Sequence, residues 1–220
     1  RDRKIRHGTE NFAQKPAMLR SEAVQAISVG IETVREAKAA GLTAVGIGEM
    51  GIGNTTTSSA VLCALTGASV ADVTGRGGGL TDEGYQKKLA VIEAALALHR
   101  PDANDPIDVL TKVGGLDLAA MTGAYLGCAA EHIPAVVDGF ISIVAALCAV
   151  RLCPAARDYL ILSHASYEIG YRIAAEELRQ EPCLLLEMRL GEGSGCPLMF
   201  QIMRAACAVL CEMATFEEAS

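Results

Sequence analysis

From Ser21 to Ala40 apolar residues recur at three- and four-residue steps, through Ala23, Val24, Ile27, Ile31 and Val34. That spacing predicts a helix with one buried face, stopped at Gly41. The period then changes. Leu42 to Gly48, LTAVGIG, is a short apolar run that breaks into EMGIGNTTTSSAVLCALTG, where glycines end a strand and Thr and Ser residues open a helix. Beyond the glycines Gly75 to Gly79, Thr81 followed by Asp82 and Glu83 signals the next helix, which runs through KKLAVIEAALAL to a break from Pro101 to Pro106. A Gly/Ala-rich helix follows from Leu116 to Ala130. Ile133 to Gly139 reads as a buried strand ending in an Asp, and Asp158 to His164 repeats that pattern before a helix that closes at LRQEP. The run LLLEMRLGEGSG reads as a last strand, leading to a helix from about Pro197 to Met213.

Short apolar strands alternating with helices, each strand terminated by Gly, Asp, Ser or His, predict an α/β fold: a mostly parallel sheet covered by helices on both faces, a Rossmann-like three-layer sandwich. No linker divides the chain, so one domain is expected over residues 1–220. Open parallel sheets bind ligands beyond the carboxyl ends of their strands. The polar residues at those ends, Glu49, Asn54, Asp138, His164, Ser166 and Glu192, are therefore the site candidates.

Composition narrows the picture. Of 220 residues 51% are hydrophobic and 20% charged, which excludes a disordered chain. A formal net charge of -7 leaves no basic stripe for a phosphate backbone, so no nucleic-acid partner is expected. The eight cysteines form no CxxC pair and no Cys/His ligand spacing, and most lie in Ala/Leu/Val runs. Buried free thiols in a reducing cytoplasm are expected, with no metal and no redox cofactor. Acidic residues, Arg or His interrupt every apolar stretch before the roughly 18 residues of a membrane span, so no membrane partner is expected. The start, RDRKIRHGTE, has neither an initiator Met nor a signal segment and reads as part of a longer protein.

Three segments carry candidate chemistry. GEMGIGNTT places glycines and an Asn directly before a helix, so that backbone N–H groups and the positive end of a helix dipole can face one anion; a tight turn explains the glycines equally well. GRGGGLTDEGYQKK adds a second glycine turn with Arg76, Lys87 and Lys88, a phosphate-clamp composition, although a solvated face accounts for either lysine alone. LGEGSG sets Glu192 between glycines after an apolar run. A half-enclosed carboxylate there would have a raised pKa and could take a proton from a nitrogen heterocycle; a surface turn is the alternative. His132 and His164 read as structural or surface histidines, since no second His or Cys stands at metal spacing.

Taken in order, GEMGIGNTT, GRGGGL, KVGG, VVDGFIS, RDYLILSHAS, MRLGEGSG and CEMATFEEA closely resemble the nicotinate-nucleotide:dimethylbenzimidazole phosphoribosyltransferases over essentially the whole chain. The resemblance implies transfer of the 5-phosphoribosyl group from nicotinate mononucleotide to 5,6-dimethylbenzimidazole. The products are α-ribazole 5′-phosphate, for the lower ligand of cobalamin, and free nicotinate. It implies Glu192 as the proton acceptor and Glu49 as a second carboxylate beside the reacting ribose. Phosphate and ribose contacts carry over to Gly51, Gly53, Asn54 and Thr55, to the turn Arg76, Gly77 and Gly79, and to Lys88, Asp138 and Ser166. It also implies a homodimer, assembled partly through the Ala/Gly-rich helices, and an N-terminal portion in full-length members that walls the benzimidazole pocket. A nucleotide-binding piece without independent catalysis, and a relative using another acceptor base, are the alternatives.

Overall fold

The structure is a computed structural model that describes residues 1–218; Ala219, which ends the CEMATFEEA motif, and Ser220 lie outside the described residues. In chain order its elements are α1 (Arg20–Ala39), β1 (Val45–Ile47), α2 (Asn54–Thr66), the single turn α3 (Val70–Val73), α4 (Asp82–His99), α5 (Pro106–Val113), α6 (Leu116–Ala130), β2 (Ala135–Val137), α7 (Phe140–Leu152), β3 (Leu160–Leu162), α8 (Gly170–Leu178) and α9 (Gly195–Glu212). The strands pair in the order β1-β2-β3, all parallel, with Val45 beside Ala135 and Ala135 beside Leu160. The fold is α/β, as expected.

Alternation along β2 divides the core between the two faces of the sheet. Ala135 and Val137 join the main cluster formed with α1, α2, α6 and α7, and Val136 points the other way, onto Cys196 and Met199 of α9. Both faces are thus covered, the second, among the described residues, by α9. Gly46 permits this: a Cβ there would lie 2.6 Å from that of Cys196.

Helix starts follow their local chemistry. Thr81 Oγ1 accepts the N–H of Gly84 at α4, as predicted. The break from Pro101 to Pro106 contains a start that periodicity did not reveal. Asp105 Oδ1 accepts the N–H groups of Ile107 and Asp108, Pro106 takes the first helical position, and α5 follows.

Several expectations are corrected. LLLEMRLGEGSG is no strand. Apart from an isolated bridge between Leu184 and His164 it is irregular, because Glu187, Gly191, Glu192 and Gly193 all have positive φ and cannot continue a ladder. Only half of the cysteines are buried: Cys63, Cys128, Cys148 and Cys196, whose thiols burial pushes up to about 12. Cys153, Cys183, Cys207 and Cys211 are exposed. By length and composition α9, 18 residues at mean hydropathy 1.2, is long and apolar enough to cross a membrane, which the sequence reading missed.

The small residues of α6 pack inside the chain. A Cβ at Gly123 would lie 1.9 Å from the Ile27 carbonyl oxygen, and one at Gly30 would lie 2.0 Å from that of Ala120, so α1 and α6 touch backbone to backbone. These glycines therefore do not offer a face to a second copy. Gly123→Ala is expected to cost about 1–3 kcal/mol through overpacking, seen as a lower urea midpoint. Gly8→Ala, where nothing lies within 4 Å, should leave the midpoint unchanged.

Candidate active site

The three strands end on one side of the molecule, and the segments leaving them surround a cavity of about 540 Å³. Every residue that the resemblance implies as catalytic or substrate-binding lines it; of the other candidates, His164 and Lys87 do not. Glu49 and the first glycine turn follow β1, Asp138 follows β2, and Ser166 follows β3; Arg76 to Gly79 and Lys88 come from α4 and the loop before it.

The start of α2 is the first feature of the site. Gly53 occupies the N-cap with φ 85°, and no side chain caps the helix. The Thr57 and Ser58 hydroxyls donate to the Asn54 carbonyl, at 2.9 and 2.8 Å, rather than capping as the sequence suggested. The first N–H groups of α2 are therefore left to whatever enters the cavity, which is the composition of an anion site.

Lys88 supplies a cation to the same region. It is buried, whereas Lys87 is exposed, and Lys88 Nζ donates to Thr55 Oγ1 and to the Gly75 carbonyl, both at 2.9 Å. Burial pulls the Lys88 ammonium below its usual range, and the Glu168 carboxylate acts in the opposite direction. A Cβ at Gly77 would lie 2.9 Å from Thr55 Oγ1, so the second glycine turn closes onto the start of α2. Arg76 is less available than expected: its guanidinium pairs with Asp82, donates to the Leu80 carbonyl at 3.0 Å and stacks over Tyr85.

The carboxylates form the other part of the site. Glu49 is half-buried and accepts a hydrogen bond from Asn54 Nδ2. Burial raises its pKa most; the Asn54 bond opposes this, and Asp117, Asp138 and Glu192 add to the rise. Glu192, for which enclosure was expected, is exposed. It sits at φ 57° between Gly191 at 74° and Gly193 at 73°. A left-handed non-glycine residue costs about 1–2 kcal/mol, so the surrounding turn must enforce it.

Asp138 is 1% exposed and does the enforcing. Its Oδ2 accepts the Gly193 N–H at 3.0 Å and its Oδ1 the Gly195 N–H at 2.8 Å. A residue read from sequence as a substrate contact is thus first a support for the turn bearing Glu192. Behind it, His164 is fully buried, with Nδ1 3.0 Å from Ser163 Oγ, and burial lowers its pKa. His132, by contrast, is exposed and pairs with the Tyr159 hydroxyl. Ser166 Oγ accepts the Glu168 N–H at a long 3.4 Å.

Sequence reasoning missed Glu168, Arg189 and Asp117. Glu168 and Arg189 line the cavity from within the quoted motifs' immediate neighbourhood, SHASYE and MRLGEG; Asp117, two residues past KVGG, reaches the site through Asn54. Among the described residues no group of three His, Cys, Asp or Glu could hold a metal ion.

An α/β protein with an uncapped helix start, a buried lysine and paired carboxylates around one cavity has the equipment to hold an anionic substrate and act on it with acid–base groups. The model of the DBI_PRT family, described as phosphoribosyltransferase, matches residues 1–220, and the chain belongs to that family. Among curated proteins it is 53% identical over 218 residues to the nicotinate-nucleotide--dimethylbenzimidazole phosphoribosyltransferase of Geobacter metallireducens, covering 99% of this chain and 62% of that protein. It is 50% identical to the one of the same name from Clostridium perfringens, covering 99% and 60%. The crystal structure of CobT from Thermus thermophilus superposes with a TM-score of 0.95 at 42% identity, over 100% of this chain and 65% of that one. The chain thus spans less than two thirds of the length of these relatives.

Asp138→Asn leaves one of the two glycine N–H groups facing an amide NH2 in place of an acceptor. It should cost about 1–3 kcal/mol, and amide exchange at Gly193 and Gly195 should speed up far more than exchange in α1. Equal protection in variant and parent would show that Asp138 does not hold the turn.

Proposed function

We propose that the chain transfers the 5-phosphoribosyl group of nicotinate mononucleotide to 5,6-dimethylbenzimidazole, as the names of its relatives describe, releasing nicotinate. The observation that carries the reading is the convergence on one cavity of two glycine turns, an uncapped helix start, a buried lysine and two carboxylates. In it the phosphate lies on the N–H groups of Gly53, Asn54 and Thr55, with Lys88 and the turn at Gly77 and Gly79 beside it. Glu192 takes the imidazole proton of the acceptor base, its exposure leaving it free to reach a flat heterocycle. Glu49 faces the ribose, where a carboxylate stabilises the positive charge that develops as nicotinate departs. The residues present supply these roles with no metal or other cofactor.

A second reading is favoured by the rim of the cavity, where Met50 and Ile52 are 72% and 96% exposed and Leu190 is 68% exposed. These apolar side chains are where a flat base would rest, and nothing among the described residues covers them. On that reading the chain binds the nucleotide and does not by itself hold the acceptor. The chain is further read as one domain and as a cytoplasmic homodimer, with Leu198, Ile202 and Leu210 on the open face of α9 as the surface for a second copy.

Calorimetric titration with nicotinate mononucleotide and then with dimethylbenzimidazole separates the readings: the first predicts that both bind, the second only the nucleotide. Lys88→Met should raise the nucleotide dissociation constant tenfold or more, about 1.4 kcal/mol. Unchanged affinity in that variant would remove Lys88 from the phosphate site.

A further inference from the structure

We infer that Asp117 is a positioning residue for the Glu49 carboxyl, holding it in place through the side-chain amide of Asn54. Asp117 lies in the first turn of α6, 63 residues along the chain from Asn54, yet Asn54 Nδ2 donates to Asp117 Oδ2 at 3.0 Å and, through its other hydrogen, to Glu49 Oε2. Both neighbours are carboxylates, which as anions only accept hydrogen bonds, so the amide can sit only one way round: its NH2 must face them. Gly51 makes room, since a Cβ there would lie 2.8 Å from Asn54 Nδ2. The amide is therefore clamped from α6 on one side and presents its second hydrogen to Glu49 on the other.

The arrangement does two things to Glu49. It removes rotational freedom from the carboxyl, and it brings a second negative charge close without a cation between them. The charged groups that act on Glu49 are all acidic: Asp117 on α6, Asp138 after β2 and Glu192 in the turn before α9. Burial opposes ionisation of Glu49 most, each of these acids adds to that, and the Asn54 bond favours it. Asp117 thus helps fix the position, and adds to the raised pKa, of a carboxyl that, on the function proposed above, faces the reacting sugar. The inference rests on that reading for its catalytic meaning, but its physical content can be measured without turnover.

Asp117→Asn keeps an oxygen that can accept from Asn54 and removes the charge; Asp117→Ala removes both. In the full chain, labelled for carboxyl-carbon NMR, the Glu49 titration midpoint should fall by roughly half a pH unit or more in Asp117→Asn. A midpoint that coincides with the parent's would overturn the inference. For turnover with both substrates, Asp117→Ala should lower kcat tenfold or more, and Asp117→Asn should restore most of it with the acid limb of the pH profile displaced to lower pH. Equal kcat in the parent and Asp117→Ala would also sink it. A parent chain that shows no turnover counts against the proposed function alone, because the NMR result still decides the role of Asp117. If neither variant folds, the parent suffices: the Asn54 side-chain amide signals should move with the Glu49 titration, and signals that stay fixed through it would refute the clamp.

Discussion

The carboxylate of Asp138, buried at the end of β2 and accepting the N–H groups of Gly193 and Gly195, is the link on which the site depends. Its charge is balanced by those donors and by the positive end of α9, which begins at Gly195. The bond pair draws the turn at 191–193 down onto the end of β1, where a Cβ on Gly48 would come 2.4 Å from the Gly193 Cα. Glu49, one residue beyond Gly48, and Glu192, one residue before Gly193, consequently share a space. A Cβ on Gly191 would lie 3.2 Å from Glu49 Oε1 and its residue would have to adopt φ 74°, so a side chain there would be strained and would press on the Glu49 carboxyl.

Around that link the cavity divides at neighbouring residues of α2. Thr55 turns toward Lys88 and the glycines of the second turn; Asn54 turns toward Glu49 and Asp117. Anion-binding groups and carboxylates are thereby held one residue apart on a helix start, a spacing that, on the function proposed above, suits a substrate with a phosphate on one end of a sugar and developing positive charge at the other. Positioning from a helix rather than a loop also explains why the Thr and Ser hydroxyls of this segment bond backward along α2. Bonded to carbonyls of α2, they do not cap its leading N–H groups.

Much of this was legible in the sequence because the signals were local. Period changes marked β1, β2 and β3, Thr81 marked α4, and glycine turns at strand ends marked the cavity. What was not legible depends on contacts across the chain. LLLEMRLGEGSG has the composition of a strand, and only its run of positive φ residues, enforced by Asp138, makes it a turn. The Asp105–Pro106 start of α5 is local too, since an acid N-cap followed by proline at the first helical position opens a helix that proline alone would mark as a break. The exposure of Cys207 and Cys211 reflects the coverage of α9 by the sheet at its first turns only, which no composition reveals. Asp117 escaped notice for the same reason: its partner is 63 residues away.

The two carboxylates of the site stand in opposite settings, and those settings argue for a division of labour. Glu49 is half-buried, clamped by Asn54 and surrounded by acids, so its charge is costly and its position fixed. Glu192 is exposed and held in a left-handed conformation by glycines and Asp138, so its backbone is fixed while its side chain has room to move. A group that must meet an incoming base, accept a proton and let the product leave benefits from the second setting; a group that must face a transient cation without reorganising benefits from the first. Desolvation acts on Glu49 at the end of β1, whereas the apolar run before Glu192 lies on the surface of the folded chain.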